Sequence, residues 1–216
     1  MLKSKVFAFD SMASEYDSWF ENKGKLIFAI EVQALLQVLL LLPKPWLEVG
    51  VGSGRFAQAL EIESGLDPSI ELVKMARNRK INAFLGQGEE VPFKSGAFGA
   101  VFLIVTLCFV DSPLKVLTEA NRLLKNDGKI VIGSMLQESL WGKFNELKME
   151  KAHRFYKHAT FYNYAELEIL LTQAGFLTEK VISTLFQKPD RVKNMEFPQQ
   201  GFSHSAGFVV TVAGKG

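Results

Sequence analysis

Apolar and polar positions change their period several times along the chain, and each change marks an element. From about Lys25 to Leu42 good helix formers run up to Pro43-Lys44-Pro45, which predicts a helix that stops at the prolines. Trp46 to Val51 is a short buried-type strand running into glycines. Arg55 to Leu60 has room for only a short helix, and Ile62 to Leu66 is a second strand closed by Asp67-Pro68. A helix follows from about Ser69 to Lys80, with Pro68 just ahead of its first turn and Ser69 able to cap it. Ile81 to Leu85 reads as a third strand, ended by Gly86 and Gly88. Ala97 to Leu107 holds the unbroken apolar run Val101 to Val105, which suits a strand buried on both faces of a parallel sheet. A helix from about Ser112 to Leu124 stops at Asn126-Asp127-Gly128, and Lys129 to Met135 is a fifth strand. Strand and helix in turn, five times over, predict an α/β fold: a doubly wound, mostly parallel sheet with helices on both faces.

The last third changes character. Ser139 to Tyr164 is aromatic-rich and basic, and a helix from about Tyr164 to Ala174 ends at Gly175. Phe176 to Phe186 and Ala206 to Val212 alternate like strands and are expected to pair, giving the sheet an antiparallel C-terminal edge strand. The link between them, with Pro189 and Pro198, reads as loop. No internal repeat or low-complexity linker interrupts the chain, so its 216 residues predict one domain, 1–216.

Composition narrows the setting. A formal net charge of +2 gives no prior for nucleic acid or an acidic membrane surface, so neither is an expected partner. The most apolar stretch, Ala34 to Leu42, contains Gln37 and falls far short of the roughly 20 residues needed to cross a bilayer. The first ten residues lack the long apolar run of a secretory leader. The one cysteine, Cys108, rules out an intramolecular disulfide and fits a reducing compartment, so a cytoplasmic location is expected. Oligomeric state is not legible.

The sharpest chemical signal is Glu48-Val49-Gly50-Val51-Gly52-Ser53-Gly54-Arg55, between a strand and a helix. Glycines let the backbone turn tightly and keep β-carbons away from a ligand, and the helix that follows presents free N–H groups. A dinucleotide fingerprint counted from Gly50 needs glycine at position 55, where Arg55 stands, which argues against a nicotinamide oxidoreductase. The acid two residues before the first glycine suits a ligand carrying an ammonium group. Seventeen residues after Gly50, Asp67 can accept both ribose hydroxyls of an adenosine; capping the next helix is its alternative role.

From Trp46 to Met135 the sequence resembles the class I, Rossmann-like S-adenosylmethionine-dependent methyltransferases, in particular the ubiquinone/menaquinone-biosynthesis-like small-molecule group. Leu47 to Gly54 resembles that family's first motif, and Gly65-Leu66-Asp67-Pro68-Ser69 its ribose-binding segment. Gly86-Gln87-Gly88-Glu89-Glu90-Val91-Pro92-Phe93 is similar to its adenine-side segment. Phe98 to Val101 resembles its fourth strand, Asn121 to Gly128 the turn before strand five, and Ala13 to Phe20 its N-terminal entry segment. The resemblance implies S-adenosyl-L-methionine as cofactor, bound by Glu48, Gly50, Gly52, Gly54, Asp67, Pro68, Gln87, Gly88, Glu89, Val105 and Thr106. Two positions depart from the pattern: Gln87 stands where an acid commonly faces the adenine amino group, and Gly99 where an aspartate is usual.

A sulfonium methyl is already electrophilic, so the expected reaction is in-line displacement onto a small-molecule acceptor, with positioning as the enzyme's contribution. No metal is expected: His153 and His158 are five apart and lack supporting cysteines. By the resemblance, Tyr16 is the candidate catalytic residue, positioning groups near the methyl; packing over the core is its alternative role. Tyr16, Trp19, Phe109, Trp141 and Tyr156 are the expected substrate-side residues, with 1–24 as an N-terminal lid and about 137–163 as a substrate-side insertion. Cys108, among apolar neighbours, is expected to be structural. Two alternatives remain: an RNA methyltransferase gripping phosphates through the basic stretch Lys143 to Lys157, and a noncatalytic S-adenosylmethionine-binding protein.

Overall fold

The computed structural model describes residues 2–150 and 159–216. Three helices open the chain: α1 (Leu2–Ser11), α2 (Ala13–Trp19) and α3 (Lys25–Leu39). There follow β1 (Trp46–Val49), α4 (Arg55–Leu60), β2 (Ser64–Asp67), α5 (Ile70–Asn78), β3 (Asn82–Leu85), β4 (Phe98–Ile104), α6 (Pro113–Leu123) and β5 (Leu124–Ser134). The last third holds α7 (Leu140–Glu150), α8 (Tyr164–Gln173), β6 (Phe176–Thr184), β7 (Gln199–Gln200) and β8 (Phe208–Lys215).

The strands form one sheet in the order β3-β2-β1-β4-β5-β8-β6-β7. The first five in that order are parallel, and β8 runs antiparallel to both β5 and β6. The C-terminal strand thus lies inside the sheet, and β6 with the two-residue β7 takes the edge. Two local expectations are corrected. No helix separates β3 from β4; residues 86–97 carry Gly86, Gly88, Pro92 and Gly96 in place of a helical stripe. β5 begins at Leu124, which pairs with Phe98, so Asn126-Asp127-Gly128 is absorbed in a bulge rather than preceding the strand.

Side-chain alternation sorts the strands onto two cores. Trp46, Ala100, Phe102 and Val131 face α3, α4 and α5, packing with Ile30, Ala57 and Val73. Leu47, Val49, Val101, Leu103, Ile130 and Ile132 face the other side, against Val116, Leu117 and Ala120 of α6 and Leu167 and Leu171 of α8. Phe102 is fully buried, so its truncation to alanine would cost about 3–5 kcal/mol. Two cores clamp the sheet from both faces and hold its carboxyl ends in fixed register. Among the described residues no helix is long and apolar enough to cross a membrane.

Candidate active site

The strand order reverses between β1 and β4, and the carboxyl ends of β1, β2 and β4 open there onto a cavity of about 1020 Å³. Open sheets leave a crevice at this switch point, because successive connections leave to opposite faces.

The glycine turn forms one wall. Gly50 has φ +79° and Gly52 φ +54°, a region that side chains with a β-carbon rarely occupy. Both line the cavity. A β-carbon at Gly50 would crowd Thr106 at 2.5 Å, and one at Gly52 would lie 3.3 Å from Tyr16 Oη. Asp67, at the end of β2, is 7% exposed and lines the same wall. Gly52 N–H donates to its Oδ2 and Ser69 N–H to its Oδ1, each at 2.9 Å. Burial pushes the carboxyl up to about 6, opposed by those two hydrogen bonds and reinforced by the charge of Asp10. Each oxygen keeps a lone pair for a further donor, so the residues fit a ribose diol as well as they fit the turn. Ser69 also caps α5, accepting from Leu72 N–H at 3.3 Å, so acid and cap are neighbours with separate tasks.

Val105 and Thr106, just past the end of β4, lie on the cavity wall. Val105 has φ +52°, a strained state for a β-branched residue, and its N–H is pinned to Gly133 O at 2.8 Å. Pro68, Gln87, Gly88 and Glu89 also line the cavity. One oxygen of Glu89 already accepts from Asp111 N–H at 3.1 Å and Ser112 N–H at 3.3 Å, fastening the two loops to each other. Gly99 is glycine for a packing reason: a β-carbon there would overlap the Pro43 carbonyl oxygen.

Two expected cofactor residues lie off the wall. Strand alternation turns Glu48 away from it, beneath the turn at 1% exposure. Burial and the charge of Asp67 raise its carboxyl well above the usual range, against a hydrogen bond from the Ala57 backbone. Its Oε2 has no partner among the described residues. Gly54, at φ +84°, is a packing glycine: a β-carbon would meet Ala76 at 3.0 Å.

The same cavity has an aromatic lining. Tyr16, Trp19, Phe109 and Trp141 all line the cavity, joined by Phe20 and Phe144. Trp141 is 6% exposed, and its Nε1–H donates to Gln187 O at 2.9 Å. Tyr156, His153 and His158 lie outside the described residues. Cys108 does not line this cavity; it borders a separate hollow of about 20 Å³ with Tyr162 and Leu167. Among the described residues no group of three or more His, Cys, Asp or Glu could hold a metal ion.

Sequence reasoning missed three features. The N-terminal segment is helical and tied to the sheet layer. Arg55 makes a bidentate pair with Asp17, Nε to Oδ1 at 2.8 Å and Nη2 to Oδ2 at 2.6 Å, and Arg79 reaches the same Oδ2 at 2.8 Å. Asp10 accepts from Ser69 Oγ at 2.5 Å and Glu71 N–H at 3.3 Å. Buried Glu31 and Asn145 are polar members of the cavity lining that no motif flagged. The signal for Glu31 was present, as a lone charge on the apolar stripe of α3.

Comparison with known proteins agrees with this geometry. A family model described as "Methyltransferase domain" matches residues 47–132. An uncharacterized protein of Methanocaldococcus jannaschii is 38% identical over 208 residues, 96% of this chain and 98% of that relative. A crystal structure of a SAM-dependent methyltransferase from Thermotoga maritima, described as a possible histamine N-methyltransferase, superposes with a TM-score of 0.90 at 35% identity, covering 97% of this chain and 99% of that one. The ubiquinone/menaquinone biosynthesis C-methyltransferase of Citrifermentans bemidjiense is 34% identical over 103 residues, only 40% of this chain and 43% of that protein, so likeness to that subgroup is partial. With relatives matched over almost their whole length, the chain belongs to the class I S-adenosylmethionine-dependent methyltransferases.

Proposed function

We propose that this enzyme methylates a small-molecule acceptor by in-line displacement. The observation that carries the reading is one cavity whose lining joins the glycine turn and Asp67 to the aromatic side chains Tyr16, Trp19, Trp141 and Phe144. S-adenosylmethionine, when bound, supplies an electrophilic methyl group. Gly50 and Gly52 offer close backbone approach, and Asp67 accepts hydroxyl donors. Tyr16 stands against Gly52 in the turn, which suits a positioning role. Trp19, Trp141 and Phe144 exclude water and restrict the acceptor's orientation, which can supply several kcal/mol of the barrier reduction. The segments 1–24 and about 137–163 are the acceptor side in this reading.

Charge favours a small acceptor over RNA. Glu15, Asp67 and Glu89 line the cavity against Lys23 alone among its described cations, a balance that repels phosphates. The test is incubation of the enzyme with methyl-labelled S-adenosylmethionine and a metabolite extract, read by mass spectrometry. A labelled low-mass product is expected. Label confined to RNA would overturn the reading, and cofactor binding without any labelled product would support a noncatalytic role instead.

A further inference from the structure

Glu31 is a carboxylic acid where its helix otherwise buries only apolar side chains. It is the one charged residue between Lys25 and Lys44, and it shares the buried stripe of α3 with Ile30, Ala34, Leu35 and Val38. It is 4% exposed yet lines the large cavity. No hydrogen-bond or ion-pair partner reaches it among the described residues, and burial alone pushes its carboxyl up to about 8. An unpaired carboxylate is heavily penalised in such a place, so packing alone would favour an apolar side chain there.

The lining of the same cavity includes Trp19, Trp141 and Phe144, aromatic rings of the kind whose faces attract positive charge. Asn145, 2% exposed, commits Nδ2 to Met135 Sδ at 3.3 Å. The other charged residues of the lining are Glu15, Asp67 and Glu89, with Lys23 on the exposed turn between α2 and α3. Asp67 belongs to the ribose position and Glu89 is engaged by two backbone N–H groups. Glu31 is therefore the deeply buried acid left over for the acceptor.

We infer that Glu31 recognises the acceptor, and that the acceptor is a small amine entering as its ammonium ion. The inference rests on the small-molecule methyl-transfer reading above. An ammonium nitrogen has no free electron pair, so one proton must leave before transfer. It passes to the Glu31 carboxylate, giving a neutral amine and a carboxylic acid. The nitrogen pair then forms the C–N bond as the S–C bond breaks, and that bond's electrons stay on sulfur. The products are a methylated ammonium ion and neutral-sulfur S-adenosylhomocysteine. Burial makes the protonated acid a tolerable resting form; as the ammonium enters, that proton is released to solvent, and the resulting carboxylate is the base that takes the ammonium's proton.

The test uses the protein saturated with S-adenosylhomocysteine, titrated calorimetrically with shape-matched pairs. These are phenethylamine against 2-phenylethanol, tryptamine against tryptophol, and 3-methylbutylamine against 3-methylbutanol. At least one amine should bind about ten- to a hundredfold more tightly than its alcohol, the worth of a charge-assisted hydrogen bond. Glu31→Gln should erase that preference while leaving S-adenosylhomocysteine affinity unchanged, and Glu31→Asp should keep it in weakened form. No amine preference in the wild-type protein overturns the inference, and that arm stands even if the glutamine variant fails to fold. An undiminished preference in Glu31→Gln overturns it equally. Failure to bind S-adenosylhomocysteine at all would sink the methyl-transfer reading instead, so the two failures are distinguishable.

Discussion

The two ends of the cavity are held by different means. At the end proposed for the cofactor the sheet fixes everything: Gly50, Gly52 and Asp67 sit at strand ends, and two backbone N–H groups orient the Asp67 carboxylate. At the end proposed for the acceptor the lining comes from α1, α2, α3 and α7, and the first two of these reach the sheet layer through side-chain pairs. A backbone-built site holds one ligand in one pose whatever side chains surround it. A side-chain-built site can be refitted to a new acceptor by a few substitutions, without disturbing the sheet. The contrast predicts that damage to the first end is read in cofactor affinity, and damage to the second in stability and selectivity.

The harshest way to probe the cofactor end is Gly52→Val. The residue has φ +54°, and even its first added carbon would lie 3.3 Å from Tyr16 Oη. A branched side chain must displace either the turn or the tyrosine. Calorimetry should show S-adenosylhomocysteine affinity reduced by more than about a hundredfold in a folded variant, equivalent to losing well over 2.7 kcal/mol. Near-normal affinity would detach the turn from the cofactor.

Asp67→Ala comes next, with an expected loss of about ten- to a hundredfold, because the removed acceptor is charged. The wild-type protein should carry a matching pH signature. Burial raises this carboxyl to about 6 from an ordinary 3.8. Between those values the folded state binds more protons than the unfolded one, so this group's contribution to stability declines as pH rises toward neutrality. Cofactor affinity moves the other way. A ribose hydroxyl needs the ionised carboxylate, so affinity should hold above pH 6 and fall as pH drops through it. An affinity profile that is flat from pH 5 to pH 8 would remove Asp67 from ribose binding.

Asp17→Asn tests the acceptor end. Asp17 joins α2 to Arg55 and Arg79, with all three side chains between 15% and 17% exposed. Burial alone would raise the Asp17 carboxyl, but hydrogen bonds from Arg55 and Arg79 and the charge of Arg79 hold it far below the usual range. Its stabilising effect is therefore present above its ordinary value near 3.8 and lost as pH falls through the folded value. The variant should lose about 1.5–3 kcal/mol in denaturant unfolding at neutral pH. Cofactor affinity should change little, since the turn and Asp67 do not depend on this pair. A large affinity loss with unchanged stability would reverse the assignment of the two ends.

The same division decides what the sequence reveals. The glycine turn, Asp67 and strands β1 to β5 are legible because each is encoded within a short local window: glycines, an apolar run, an acid at a strand end. The tethered helices α1 and α2 are not, because Asp17 meets Arg79 across 62 residues and no periodicity announces such a pair. Glu48 shows the limit of motif reasoning. Its spacing is right, yet strand alternation sends it beneath the turn, where it lines the fold rather than the cavity. Glu31 shows the converse, an acid no motif contains but whose place on an apolar stripe marks it. Alternation of the neighbouring units predicts a helix between β3 and β4, but residues 86–97 carry glycines and a proline where a helix needs a stripe.

Cys108→Ser should have the smallest effect, and it tests where the boundary between the two ends lies. Cys108 lies four residues past the end of β4 and three after strained Val105, so on sequence distance alone it could serve the cavity. The chain turns it away. Its Sγ approaches Val105 O at 3.6 Å, and its own carbonyl accepts from Thr160 N–H at 2.7 Å. It borders the 20 Å³ hollow beside Tyr162 rather than the large cavity. A serine hydroxyl is a better donor than a thiol and only slightly smaller, so the contact to Val105 O survives substitution. Stability should change by less than about 1 kcal/mol, within the range of mild, volume-conserving swaps, and both cofactor affinity and methyl transfer should stay near wild type. A covalent adduct trapped on Cys108, or loss of turnover with binding intact, would place a nucleophile at the end of β4. The acceptor end would then extend past Val105 into the sheet.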